Sequence, residues 1–308
     1  MRPGVHPRLG DLVPFLAAVE ASTGAEALSE RKRLDLATPG PGSFGIEVLH
    51  HGRLIGYARV IASMTAPETW TLEIAERPEH RRLVEQHVLD ELDTLAEQRQ
   101  PHSITWWLPD GSQAALAISR GFEHSRELLE MTRPLIGFVS ASAPAGVRIR
   151  PFIGTDSECS ELVRVNNAAF DGHPEQGAWG IDDFLRRRQS PWFDAADLLL
   201  GWIDQRLVGF CWLKTLRSGA DGDAHVELYA LAVDPSAGVR GLGRALTTSA
   251  FADAAARRGG GVASLFVDAS NERALRLYQS LGFQTSRRRC ALMRQEPRPR
   301  SCAAPATP

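Results

Sequence analysis

Cysteine is scarce and scattered in this chain: Cys159, Cys211, Cys290 and Cys302 are its four thiols, with no CxxC pair among them. That spacing argues against structural zinc and against a disulfide framework, and reduced thiols in the cytoplasm are the expected state. An excess of one charge is also lacking. With 35 Lys and Arg against 37 Asp and Glu, the formal net charge is -2, so no basic field exists to hold nucleic acid or an anionic membrane. No apolar run reaches the ~18 residues of a membrane span. The N-terminal apolar stretch Leu12 to Val19 is short, is interrupted by Pro14 and has no small-residue cleavage pattern after it, so no signal peptide is expected.

What is present is enough hydrophobic material for two cores, 43% of 308 residues. The same order of elements occurs twice. Gly52 to Tyr57 matches Asp204 to Phe210, and Trp70 to Ala75 with Pro78 matches Val226 to Val233 with Pro235. Helical stretches follow at Leu83 to Arg99 and Leu242 to Arg258, then strands at Ile104 to Leu108 and Ala263 to Val267, then Gly121-Phe122 and Gly282-Phe283. Two similar domains in tandem explain this economically. The expected division is 1–138, a linker at 139–147 of Ser, Ala, Pro and Gly, a second domain at 148–294, and a disordered tail at 295–308.

The copies differ at one turn. In the second, Gly238-Val239-Arg240-Gly241-Leu242-Gly243-Arg244 lies between a strand and a helix. Such a turn aims unpaired N–H groups and a helix dipole at one point, and glycine leaves room for a phosphate there. Arg240 and Arg244 add positive charge. The plain alternative is an ordinary βα connection. In the first copy Glu79 to Gln86 takes this place, and no glycine occurs between Gly56 and Gly111. Further on, Asn271 is suited to cap the helix Glu272-Arg273-Ala274-Leu275-Arg276-Leu277-Tyr278, and Gly282 to end it in a left-handed conformation.

The segment Glu227 to Phe283 resembles the core of the GNAT superfamily of acyl-CoA-dependent N-acyltransferases. The resemblance implies an α/β (α+β) fold of two tandem GNAT-like domains, each a mixed, mostly antiparallel twisted sheet flanked by helices. It also implies acetyl-CoA as donor and no metal. The pyrophosphate would be cradled by Gly238 to Arg244, the pantetheine arm by the backbone of Leu231, Ala232 and Val233, and the thioester flanked by Asn271 to Arg276. Where the family usually opens the turn with glutamine or arginine, this chain has Gly238.

The whole chain, including Asn166-Asn167 and the His173-Pro174-Glu175-Gln176 stretch, resembles the mycothiol synthase family of actinobacteria. That family acetylates the cysteinyl amine of a cysteine-glucosamine-inositol conjugate. The resemblance puts acceptor contacts on Glu30, Glu175, Lys214 and Glu227, with Phe266 where the family has tyrosine. It implies Glu227 as general base through a water and Tyr278 as the acid that protonates the departing sulfur. As a strand read by strict alternation, Val226, Leu228 and Ala230 share one face, and Glu227 shares the other with Tyr229 and Leu231. His173 and His225 are read as structural. A monomer acting on a small-molecule acceptor is expected. Two other readings stay open: a GNAT activity on a protein N-terminus, lysine or aminoglycoside, and a non-catalytic acyl-CoA-binding regulator.

Overall fold

A computed structural model describes residues 9–24, 26–63, 66–109, 114–172, 177–217 and 224–296. The chain divides into two compact units, residues 1–126 with 289–308, and residues 127–288.

In the first unit, α1 (Leu9–Thr23) and α2 (Glu30–Ala37) precede β1 (Phe44–His50), β2 (Arg53–Ala62) and β3 (Thr69–Glu76). A 3-10 turn at Pro78–His80 then leads into α3 (Arg81–Arg99), β4 (Ser103–Leu108) and α4 (Ala114–Ser119). β1, β2 and β3 pair antiparallel and β3 pairs parallel with β4, as a crossover through α3 requires. Gly56 allows α3 to lie close to β2, since a Cβ there would come within 2.2 Å of Val84. One face of the sheet carries the core of α3, with Val84, Val88, Leu89 and Leu92 buried among Ile104, Trp106 and Val60. The α1 residues Leu12, Phe15, Leu16 and Val19 pack with Tyr57 and Ala75.

The second unit repeats the order. It contains β6 (Arg148–Pro151), α5 (Asp156–Ala169), α6 (Ile181–Arg188), β7 (Leu198–Ile203), β8 (Arg206–Arg217) and β9 (Ala224–Val233). These are followed by a 3-10 turn at Pro235–Ala237, α7 (Leu242–Arg258), β10 (Gly261–Asp268) and α8 (Glu272–Ser280). β6 to β9 are antiparallel, and β9 and β10 are parallel neighbours. Two cores flank this sheet. Leu242, Leu246, Phe251 and Tyr278 of α7 and α8 pack with Val226, Leu228 and Leu265. Leu162 and Phe184 of α5 and α6 pack with Phe210, Trp212, Ala230 and Ala232.

Two long strands remain, β5 (Glu123–Pro134) and β11 (Gln284–Gln295). Leu128–Pro134 of β5 pairs antiparallel with β10 and so completes the second unit. Cys290–Gln295 of β11 pairs antiparallel with β4 and completes the first. Each repeat's last strand therefore finishes the other repeat's sheet. This division differs from the one expected at 139–147, because strand pairing follows distant partners while linker composition reports only local chain. The tail expected to be disordered lies, beyond Glu296, outside the described residues.

Candidate active site

The sheet of the second unit is interrupted where β9 crosses its middle. Along β8 and β9 the register runs from Gly209↔Val233 to Trp212↔Ala230, then shifts so that Leu213 faces Leu228. Tyr229 is left over, a β-bulge that bends the strand and increases its twist. The bulge also reverses which side each later residue faces. Val226 and Leu228 enter the α7/α8 core, whereas Ala230 and Ala232 enter the α5/α6 core. Strict alternation therefore fails at this point: Tyr229 stays on the Glu227 side, but Leu231 changes over to pack against the α7/α8 core.

Beyond the bulge, β9 and β10 part. Their parallel pairing covers Ala224–Leu228 and Gly261–Leu265, after which β10 continues with β5 as its partner. The Asp234 N–H donates to the Val208 carbonyl at 2.9 Å, which sets the phase of the β8 ladder. By period two, the Ala232 N–H is turned to β8, and the N–H groups of Leu231 and Val233 face the opening. Only two of the three backbone groups expected to hold a pantetheine arm are thus turned toward the opening, because an antiparallel ladder claims every second one.

The glycine turn lies at the end of this strand. Asp234, 2% exposed, opens it by accepting hydrogen bonds from the Ser236 N–H and hydroxyl at 2.9 and 2.6 Å. Its other carboxylate oxygen receives Arg164 of α5 at 2.7 Å and Arg206 of β8 at 2.9 Å. Burial raises the Asp234 pKa, but the bonds from Ser236, Arg164 and Arg206 outweigh it and hold the carboxyl far below the usual range. Gly238 and Gly241 adopt φ of +64° and +80°, the left-handed region that glycine reaches without a Cβ penalty. A Cβ built at either would meet no protein atom within 4 Å, so the space over the turn is open. The first helical bond of α7 runs from the Ala245 N–H to the Gly241 carbonyl at 3.1 Å, and no side chain caps the helix start. The N–H groups of Leu242, Gly243 and Arg244 are the donors that such a start presents. Val239 is half-buried, the Leu242 side chain is buried beneath the turn, and Arg240 and Arg244 are exposed, with Arg244 bonded to the Ser280 hydroxyl. These features suit the diphosphate of an acyl-CoA.

At α8, Asn271 caps the helix by accepting the Ala274 N–H at 3.1 Å. Glu272, Arg273 and Arg276 are exposed, and Ala274 and Leu275 pack partly into the α7/α8 core. Tyr278 is buried, 6% exposed, against Phe283. Burial, with the Cys211 thiol nearby, pushes its phenol well above the ordinary value, so it keeps its proton near neutral pH.

Lys214 and Glu227 are direct cross-strand neighbours. Lys214 lies inside β8 at 5% exposure, its ammonium 5.6 Å from the centre of the Trp192 ring. Glu227 is half-buried and opposite Ser264 in the parallel ladder. Phe266, two residues along β10, is 38% exposed and opposite Glu130. An aromatic wall that sequence reasoning missed adjoins them: Trp192 lies 4.9 Å from Tyr229 and 5.5 Å from Trp212 between ring centres. Arg187 of α6 donates to the Tyr229 hydroxyl at 2.9 Å and lies over Trp179. Asn167 holds Trp179 by two backbone bonds, each 2.9 Å. The Asn166-Asn167 pair was the available signal for this wall. His225, read as structural, bonds the Ser264 hydroxyl at 2.7 Å.

Glu30 begins α2 of the first unit, and Glu175 lies outside the described residues, as does His173. Among the described residues, no cluster of three or more His, Cys, Asp or Glu is placed to hold a metal, and no helix is long and apolar enough to cross a membrane.

A bulged strand that opens beside its parallel neighbour, with a glycine turn and helix start at its end, defines an acetyltransferase of the GNAT class. A sequence profile of the Acetyltransferase (GNAT) family matches residues 162–283. The chain is 37% identical over 280 residues to a mycothiol acetyltransferase of Kineococcus radiotolerans, covering 88% of each chain. It is 36% identical over 296 residues to that of Thermomonospora curvata, covering 95% of each. Among solved structures, a tandem GNAT protein from the clavulanic acid biosynthesis pathway shares the fold with TM-score 0.70 and 15% identity, covering 96% of this chain and 98% of that one. A GCN5-related N-acetyltransferase from Sphaerobacter thermophilus gives TM-score 0.66 at 20% identity, covering 96% and 94%. The chain belongs to the mycothiol acetyltransferase family.

Proposed function

We propose that this protein transfers acetyl from acetyl-CoA to the cysteinyl amine of the cysteine-glucosamine-inositol conjugate, giving mycothiol. The observation that carries the chemistry is the half-buried Glu227 carboxylate on the strand that opens beside β10, one strand end away from the glycine turn. The acceptor follows from the relatives' shared name.

The turn Gly238 to Arg244 would hold the diphosphate, and the Leu231 and Val233 N–H groups the pantetheine amide and the thioester carbonyl oxygen. The donor supplies an activated acetyl group when bound. Glu227 takes a proton from the acceptor ammonium, through a water, to expose the amine lone pair. Tyr278 gives its proton to the sulfur as that bond breaks, and the second proton shed by the attacking nitrogen as the tetrahedral intermediate collapses restores the phenol. Tyr278 lies in the α7/α8 core and Glu227, by alternation with Val226 and Leu228, on the other face of β9, which supports an acid and a base acting from two sides. Lys214, Phe266 and the Trp192–Tyr229 wall line the acceptor side, with Glu30 and Glu175 proposed as further contacts. The enzyme is proposed to work in the cytoplasm as a monomer.

The test is a panel of amine acceptors: the conjugate, a peptide N-terminus, a lysine peptide and an aminoglycoside, each with acetyl-CoA. The conjugate is expected to give the highest kcat/KM. Preference for a peptide or aminoglycoside would move the assignment to another GNAT activity, and acetyl-CoA binding without turnover would mark a regulator.

A further inference from the structure

Acetylation of an ammonium by a thioester yields an amide, a thiol and one proton. Glu227 therefore finishes each turnover protonated unless that proton leaves, and substrates bound over its partly exposed carboxylate would cover the direct way to bulk water. This inference rests on the acetyl-transfer reading above and adds the route out.

We propose that Ser264 and His225 carry the proton from Glu227 to solvent. Ser264 is the cross-strand neighbour of Glu227 in the parallel β9/β10 ladder. Its side chain is 1% exposed, and a hydroxyl both donates and accepts. His225 Nε2 lies 2.7 Å from the Ser264 oxygen. Because His225 is paired with Val262 and not with Ser264, its ring must lean along the strand toward the Glu227 position to make this bond. His225 is partly exposed, to the same class as Glu227, so a proton on its ring can pass to water.

The charges around the ring suit transient protonation. Glu130 on β5 and Lys214 on β8 act on the ring through their charges, and Glu227 stands two residues further along β9. Burial, aided by the Lys214 ammonium and opposed by the Glu130 carboxylate, holds the imidazole below its ordinary pKa. His225 is thus neutral between turnovers and releases an acquired proton readily. The transfer balances without redox change. The Glu227 carboxyl gives its proton to the Ser264 oxygen as the Ser264 proton passes to His225 Nε2. That restores the carboxylate and the hydroxyl and leaves an imidazolium, which loses its Nδ1 proton to water.

The decisive experiment separates the first turnover from later ones. In His225→Gln, which can keep a hydrogen bond to Ser264 but cannot take a proton, rapid-quench mixing with acetyl-CoA and the conjugate is expected to show one equivalent of product at the wild-type rate. A steady phase slowed about tenfold or more should follow. His225→Ala should behave alike, with added imidazole accelerating only its steady phase, and Ser264→Ala combined with His225→Ala should be no slower than either alone. Equal slowing of both phases, a steady rate equal to wild type, or indifference to imidazole would overturn the relay. If Glu227→Gln is inactive while His225→Gln is normal, the relay fails and the acetyl-transfer reading stands. If the wild type acetylates no amine, both fail.

Discussion

The two units contain the same order of strands and helices, yet each fills the middle of its sheet differently. In the second, the β8 and β9 register slips at Tyr229 and leaves an open strand edge beside Glu227. In the first, β3 also parts from its parallel neighbour β4 after Leu72, but β2 and β3 pair without a slip from Gly56↔Glu76 to Ala62↔Trp70. Its polar groups are tied to one another: Lys32 donates to the Thr71 carbonyl and hydroxyl, each at 2.7 Å, and Glu73 accepts the Ser29 N–H and hydroxyl, each at 2.7 Å. Arg59, fully buried, is paired with Asp35. Where the second unit has its glycine turn, the first places Arg81 against Glu76, with Glu85 buried beside them. The same topology can thus leave its positions open or tie them into its own scaffold. We assign chemistry to the second unit on that contrast.

The largest expected effect lies at the base. Glu227→Gln should slow acetyl transfer by 10²- to 10⁴-fold, roughly 2.7 to 5.5 kcal/mol in the barrier, without weakening acetyl-CoA binding measured by calorimetry. A normal rate would remove the main distinction between the units.

Next comes a pH effect confined to the first unit. Burial and the neighbouring Glu85 carboxylate push the Glu76 pKa up to about 8, and burial raises Glu85 as well. A raised folded pKa means that the folded state binds the proton more tightly. Stability should therefore fall as pH rises from about 4.5 to about 8, by at most about 1.4 kcal/mol per pH unit for one proton. Glu85→Gln should flatten this slope and raise Tm at pH 8 with no change in kcat. An unchanged slope in thermal melts would contradict the mutual effect of these two buried carboxyls.

A smaller effect is expected from Phe266→Tyr. The ring is 38% exposed on the acceptor side, and restoring a phenol offers one hydrogen bond, worth about 0.5 to 1.5 kcal/mol. The acceptor KM should fall several-fold while the acetyl-CoA KM is unchanged; movement of the acetyl-CoA KM instead would place this ring on the donor side. Arg82→Ala, an exposed change in the first unit's glycine-free turn, should leave kcat and both KM values within twofold.

Much of the second unit was legible in advance, because its key signals are local. The Arg240-Gly241-Leu242-Gly243 turn, the Asn271 cap and the Gly282 stop each depend on a few adjacent residues, and each is found with the expected backbone. The internal repeat was also readable. What escaped depends on partners far apart in sequence. The slip at Tyr229 arises between β8 and β9, and it overturned the alternation that placed Leu231 beside Glu227. The burial of Lys214 has no local signal, because nothing nearby announces Trp192 or the extension of β8 to Arg217. The exchange of β5 and β11 between repeats was invisible for the same reason. His225 carries no local mark of Ser264, which is 39 residues away.

The most direct measurement of the central claim is acetyl transfer from acetyl-CoA to the cysteine-glucosamine-inositol conjugate, followed by mass spectrometry for wild type, Glu227→Gln and Arg82→Ala in parallel. Rapid N-acetyl product from wild type and Arg82→Ala, with almost none from Glu227→Gln, is the predicted result. Equal product from all three, or loss of product with Arg82→Ala alone, would contradict the assignment of catalysis to the second unit.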